Sequence, residues 1–382
     1  MAAIAGMIVG HAPHAVLLVG SSGVGKTTFA MDLAAGLLCT AEVPAERPCG
    51  RCRACRLVAT DRHPDVHRIG PDGPGRQVAI GGPGSRVRGI RDLIADLALH
   101  PVEGGARVAI VEAAQRMNED AQAALLKTLE EPPAGVTLIL CADAEEPLLP
   151  TIRSRCARIR LGPVSTRDIE AILGEHGVAE PPLAARLARI AAGRPGLALA
   201  WASDPDALRA REEVVRTLLD LLDVGPAERL AGVRGAAARA ARMTPLADDA
   251  TGAGRPARRV APTDADADAP PDPAGAGDGD EAAGPARTPA TERRRAAEAL
   301  VCAWSDLARD LALCQRDLAH DVREIGLIDE TQAAAVRLPL PAVTDFLDRL
   351  GRAAVLLRSN VSPELVLDDL AVHWPRPVAT AA

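Results

Sequence analysis

The sequence predicts an α/β domain built on a parallel sheet, then a small helical unit and an all-α C-terminal domain. Three observations carry this expectation. Short apolar runs alternate with helix-like segments through residues 1–162, the pattern of parallel strands joined by crossover helices. A glycine-rich loop, Gly20–Thr27, joins one such run to a helix-like segment. Beyond residue 291, apolar residues recur at helical spacing.

In chain order, Val16–Val19, Val108–Val111 and Val136–Cys141 read as short buried strands, because each is continuously apolar and too short for a helix. Asp92–Leu99 and Asn118–Glu131 read as helices. Asn118 can cap the second, and Glu119 and Asp120 suit the positive end of its dipole. Residues 163–205 form a helical unit broken by Pro and Gly, and 206–242 open the C-terminal region. Residues 243–291 are Ala, Pro, Gly, Asp and Arg, with eight Asp and one Glu against four Arg. Such a stretch cannot bury enough apolar surface to offset ordering entropy, so a disordered acidic linker is expected there. Amphipathic helices over Glu292–Leu318, Leu340–Leu357 and Pro363–Val372 then make a domain over 292–376, with Asn360-Val361-Ser362-Pro363 as the start signal of the last helix.

Composition narrows the function. Of 44 basic Lys+Arg residues only two, Lys26 and Lys127, are lysines, and there is no tyrosine. Arg and Lys are not interchangeable where a compact point charge is needed, so the two lysines mark places to look for chemistry. A net charge of −7 argues against nucleic-acid binding by bulk electrostatics. No apolar run approaches the roughly 18 residues of a membrane span. The first ten residues lack a basic region and a cleavage site, so no signal peptide is read. With eight cysteines and no secretion signal, a reducing, cytoplasmic setting is expected, with metal or free thiols rather than disulfides.

Gly20-Ser21-Ser22-Gly23-Val24-Gly25-Lys26-Thr27 matches the phosphate-binding loop G-x-x-x-x-G-K-[ST] in the strand-to-helix setting that the motif requires. Glycines let backbone N–H groups close around phosphate oxygens at a helix N-terminus. Lys26 would reach the β- and γ-phosphates of ATP, Thr27 would hold Mg²⁺, and Thr28 opens the helix. Val108–Glu112 is an apolar strand ending in a carboxylate, so Glu112 could support Mg²⁺ through water. The next position is Ala113, which removes the carboxylate that would orient an attacking water. The expected nucleotide set is therefore Gly20, Gly23, Gly25, Lys26, Thr27, Thr28 and Glu112, binding without efficient turnover.

Cys39, Cys49, Cys52 and Cys55 are spaced C-x9-C-x2-C-x2-C, which suits a structural Zn²⁺ with four protein ligands inside residues 39–55. Four cysteines also hold iron–sulfur clusters, but nothing else in the chain suggests electron transfer. Arg51, Arg53 and Arg56 lie between them, as a solvated rim or a face toward a partner. Cys141, Cys156, Cys302 and Cys314 read as buried small apolar residues, and His63 and His67 as surface residues.

Asn118–Pro133 resembles the signature helix of bacterial clamp-loader ATPases, and Thr151-Ile152-Arg153-Ser154-Arg155-Cys156 resembles their Ser-Arg-Cys motif. The phosphate loop and the cysteine spacing are similar too, so Ala12–Cys156 resembles the AAA+ subunits of DNA polymerase III. The helical remainder resembles that family's lid and collar more loosely. Within the family the likeness is closest to the delta-prime subunits, through Ala113, Gly193-Arg194-Pro195-Gly196 without a sensor-2 arginine, and Ala142-Asp143 without a sensor-1 Thr or Asn. The resemblance implies a stator that helps load a sliding clamp on primed DNA together with tau/gamma and delta subunits. It implies that Arg155 acts in trans as an arginine finger at a neighbouring ATP site. Lys127 falls in the signature helix, either as a surface charge or as a contact to a partner or DNA. The alternatives are a tau/gamma motor subunit and a zinc-dependent interaction protein with a vestigial phosphate loop.

Overall fold

The computed structural model describes residues 6–7, 12–71, 77–83, 85, 87–103, 105–243, 290–359 and 361–377. Residues 244–289, nearly all of the expected linker, and Asn360 lie outside them. Strands β1 (Ala15–Val19), β2 (Val66–Ile69), β3 (Arg107–Val111), β4 (Val136–Ala142) and β5 (Ala157–Arg160) form one sheet in the order β2-β3-β4-β1-β5, with every pairing parallel. The central β4 is buried at all seven positions, as the unbroken apolar run of a strand covered on both faces demands. The edge strands β2 (VHRI) and β5 (ARIR) carry His and Arg and are only partly covered. Neither is predicted above, because a polar edge strand of four residues has no continuous apolar signal.

Helices α1 (Lys26–Leu38) and α2 (Arg53–Ala59) cover one face, where Val16, Leu18, Val108, Ile110, Ile139 and Cys141 point. Helices α3 (Ile90–Leu97) and α4 (Glu119–Glu130) cover the other, with Leu17, Ala109, Val111, Leu138 and Leu140. This is the period-two alternation of a strand sorting one sequence onto two cores. Asn118 caps α4 as expected, its side chain accepting from the Ala121 N–H at 2.9 Å. Then follows the short α5 (Pro150–Arg155).

The small unit consists of α6 (Thr166–Glu175), α7 (Pro181–Ile190) and α8 (Pro195–Ser203), packed around Ile169, Leu173, Leu187, Ile190 and Trp201. Helices α9 (Pro205–Asp220) and α10 (Pro226–Met243) share a single apolar core with α11 (Ala290–Cys314), α12 (Ile328–Arg337), α13 (Leu340–Arg358) and α14 (Pro363–Val372). The helices on either side of 244–289 thus build one domain. Trp304 and Trp374 meet edge to face at 4.8 Å with Phe346 beside them, and their indole N–H groups donate to Val214 and Leu218 carbonyls on α9. Helix α11 ends at Cys314, four residues before the expected end, where Asp317 takes a positive φ of 60°.

A knot of buried charge joins this core to the small unit. Arg211 on α9 and Glu324 are almost completely buried and ion-paired, and Arg211 also lies 5.3 Å over the Trp201 ring. The carboxylate of fully buried Asp310 accepts from the N–H groups of Arg323 (3.0 Å) and Glu324 (2.9 Å). Burial pushes the Asp310 carboxyl up, against those two hydrogen bonds, which favour its charged form.

Two expectations need correction. His63 is buried, its Nδ1 accepting from the Asp65 N–H at 3.2 Å, and His67 lies between Asp96 and Arg107. Buried Asp65 and Arg107 tie β2 to the Val102–Glu103 loop and draw both histidines inward. Cys141 and Cys156 are buried as expected, whereas Cys302 and Cys314 are only half-buried on α11.

Candidate functional site

The phosphate loop leaves the C-terminal end of β1, the side of a parallel sheet on which ligands sit. Gly23 and Gly25 have φ of 80° and 104°, in the left-handed region that costs glycine little. These turns carry the chain over the N-terminus of α1, whose N-cap Gly25 provides no side-chain cap. The first-turn N–H groups of α1 therefore suit an anion. The loop is also held from behind. Gly20 N–H donates to Ala142 O (3.2 Å), and Gly196 N–H, at the start of α8, donates to Gly23 O (2.9 Å). A Cβ on Gly196 would stand 3.2 Å from Gly23 O, so the small unit approaches the loop as closely as glycine allows.

Lys26 is buried, and its ammonium donates to Gly20 O (2.7 Å), Ser21 O (3.0 Å) and Asp143 Oδ1 (2.6 Å). Asp143 arrives there by register: Val19 pairs with Ala142, so the residues after β1 and β4 emerge side by side. Gln115 holds Asp143 from the other side. Its Nε2 donates to Asp143 Oδ2, and its Oε1 accepts from the Asp143 N–H, both at 3.1 Å. Thr27 is half-buried and Thr28 exposed. Glu112, at the end of β3, is ion-paired with Arg68 of β2, which also binds Asp61 at 2.9 Å. Ala113 follows with a φ of 49° and starts the turn Ala114–Arg116 that carries Gln115. Asp143, Gln115 and Arg68 stand in no motif that assigns them a role from sequence. No signal along the chain pointed to Asp143, because its approach to Lys26 depends on β4 lying beside β1.

The four cysteines converge. The Sγ atoms of Cys39, Cys49, Cys52 and Cys55 all lie within 4.8 Å of one another, with Cys52 and Cys39 at 4.0 Å. Backbone N–H groups of Ala41 and Cys49 point at Cys39 Sγ, that of Cys52 at Cys49 Sγ and that of Cys55 at Cys52 Sγ, all at 3.4–3.5 Å. Burial tends to raise the Cys52 thiol, yet the N–H groups of Cys55 and Thr40 outweigh it and hold the thiol at about 5. Cys55, more deeply desolvated and beside Cys52, is pushed to about 12. Sulfurs on a tetrahedral zinc stand about 3.8 Å apart, given Zn–S bonds near 2.3 Å. This cluster is close to that spacing, and its N–H···S bonds suit thiolates, so the four residues can hold a zinc ion.

Arg155 ends α5. Its Nη1 donates to Thr151 O (3.0 Å) and its Nη2 meets Glu130 Oε1 (2.7 Å), with the side chain 35% exposed. Buried Gln122 of α4 sets that helix: it accepts from the Leu149 N–H at 2.7 Å and donates to Met117 and Pro147 carbonyls. A guanidinium paired to one half-exposed carboxylate can exchange it for another anion at small cost. Lys127, on α4, is exposed and makes no ion pair among the described residues.

The family described as "DNA polymerase III, delta subunit" matches residues 5–165. The DNA polymerase III subunit delta' of Haemophilus influenzae is 38% identical over 148 residues, 39% of this chain and 42% of that one. The delta' subunit of Escherichia coli is 34% identical over 216 residues, 56% and 62% of the two chains. The tau subunit of Escherichia coli is 35% identical over 193 residues, 49% of this chain and 28% of that one. The chain thus spans about two fifths to three fifths of the length of these delta' relatives.

Proposed function

We propose that this chain, whose residues 5–165 match the family described as "DNA polymerase III, delta subunit" and resemble delta' subunits at 34–38% identity, is a delta-prime-like, non-motor subunit of an AAA+ clamp loader of DNA polymerase III. In this reading it joins tau/gamma and delta subunits in the cytoplasm and helps to set a sliding clamp on primed DNA during replication. The observation that carries the non-motor reading is the end of β3. Glu112 is ion-paired with Arg68, and the next residue is Ala113, so the end of β3 presents no free carboxylate at the position that would orient an attacking water. Nucleotide would be held through Gly20, Gly23, Gly25, Lys26, Thr27 and Thr28, with Mg²⁺ at Thr27 and, through water, at Glu112. A bound nucleotide would supply negative charge that ties the loop to the small unit, and this chain would turn it over poorly.

Zinc at Cys39, Cys49, Cys52 and Cys55 is structural in this reading, since four protein ligands leave no open coordination position. It would fix α2 and the basic rim of Arg51, Arg53 and Arg56. Arg155 would leave Glu130 and enter the ATP site of a neighbouring subunit, where a fixed guanidinium stabilises charge on a transferring phosphoryl group. The intact Gly25-Lys26-Thr27 and the identity to a tau subunit favour a second reading, a motor subunit. Equilibrium ATP binding and steady-state turnover by the purified chain separate the two. The proposal expects saturable binding that Lys26→Ala weakens, with negligible turnover. Robust hydrolysis by the chain alone would establish the motor reading instead.

A further inference from the structure

The nucleotide site is already charge-balanced by the chain's own residues. An ammonium has three N–H donors, and all three of Lys26 are taken, by Gly20 O, Ser21 O and Asp143 Oδ1. A phosphate oxygen can reach this nitrogen only by displacing an acceptor. The two carbonyls belong to the loop that must keep its shape around the phosphates. Asp143 is different: its side chain is 40% exposed, against 9% for Lys26, so it can turn into water with little loss. Lys26 cannot follow, and a buried ammonium without a counter-charge is costly. The arrangement therefore has two stable forms, one with the carboxylate on Lys26 and one with a phosphate there.

We infer that Asp143 is a built-in competitor for the phosphate-loop lysine, a latch that nucleotide must open, and that Gln115 is the residue that positions it. This inference rests on the nucleotide-binding reading above. Gln115 grips Asp143 at both Oδ2 and the backbone N–H, so the carboxylate is presented to Lys26 in a fixed orientation. The turn that carries Gln115 begins at Ala113, directly after the β3 carboxylate Glu112. The latch thus sits between the end of β3 and the phosphate loop. A competing internal acceptor lowers apparent affinity by the fraction of molecules in which it is bound.

The test uses the full-length chain and ATP, titrated by calorimetry with Mg²⁺ and again with a chelator. Asp143→Asn keeps the shape, and its amide also removes the counter-charge, so it should tighten ATP binding about five- to tenfold in both conditions. Gln115→Ala should act in the same direction by a smaller factor, and only while Asp143 is present; in the Asp143→Asn background it should change nothing. A double-mutant cycle of Lys26→Ala and Asp143→Asn, read by unfolding of the nucleotide-free chain, should show coupling between the two side chains. Equal ATP affinity of Asp143→Asn and wild type, with both binding, overturns the latch and leaves the nucleotide reading standing. Weaker binding of Asp143→Asn only with Mg²⁺ also overturns it, because Asp143 would then serve the metal. No ATP binding by any variant overturns the latch and the nucleotide reading together.

Discussion

Removing the carboxylate of Glu324 should damage this protein more than any single surface change. Arg211 and Glu324 are each only 2% exposed and form an ion pair. Glu324→Ala leaves the Arg211 guanidinium buried with no counter-charge, and breaking a buried pair from one side costs about 3–5 kcal/mol. Glu324→Gln keeps the shape and part of the hydrogen bonding, so it should cost less, about 1–3 kcal/mol. Glu330→Ala is the control, since its pair with Arg216 is more than half exposed on both sides and should be worth about 1 kcal/mol or less. The assay is denaturant unfolding followed by tryptophan fluorescence. The chain has three tryptophans, all buried: Trp304 and Trp374 report on the C-terminal core, and Trp201 lies under Arg211. A loss of stability in Glu324→Ala no greater than in Glu330→Ala would refute the reasoning.

Three further outcomes follow from the same structure. The purified chain should carry one zinc, and Cys52→Ser should lose it and open the cysteine loop and α2 to trypsin at Arg51, Arg53 and Arg56; retention of full zinc by that variant would contradict the four-cysteine site. Burial pushes the Cys141 thiol to about 12 and that of Cys156 to about 11, and only thiolates react quickly. In the native chain at pH 8 both should resist alkylation, reacting only on unfolding or as pH approaches those values; rapid native labelling at pH 8 would contradict the burial. Gln122→Ala removes the hydrogen bonds that set Leu149 at the start of α5, so mass-spectrometric hydrogen exchange over residues 149–156 should rise, and unchanged exchange there would contradict its positioning role.

Where the sequence was legible, one physical signal dominated locally. The runs at Val16–Val19, Val108–Val111 and Val136–Cys141 are strands because continuous burial needs continuous apolarity, and Asn118 marks a helix start because its side-chain oxygen accepts from a first-turn N–H ahead of acidic Glu119 and Asp120. The strands β2 and β5 were not legible, because their Arg and His residues find partners supplied by distant segments: Arg68 pairs with Glu112, and Arg160 with Glu145. Ile328–Arg337 was missed as a helix because its apolar face is mostly alanine, which carries little periodic contrast. The glycine turn between β1 and α1 and the convergence of the four cysteines were legible from spacing alone. Asp143 on Lys26 was not, since that contact depends on strand order, and spacing along the chain does not encode which strand lies beside β1.

The central claim, a non-motor subunit that serves a neighbour's ATP site, is tested most directly at Arg155. Wild type and Arg155→Ala would each be assembled with the tau/gamma and delta subunits, and ATP hydrolysis measured with clamp and primed DNA present. The account predicts that Arg155→Ala assembles and binds nucleotide like wild type, while turnover at the adjoining site falls about a thousandfold or more, lowering the total by that site's share. Unchanged ATPase in the assembled complex would contradict it.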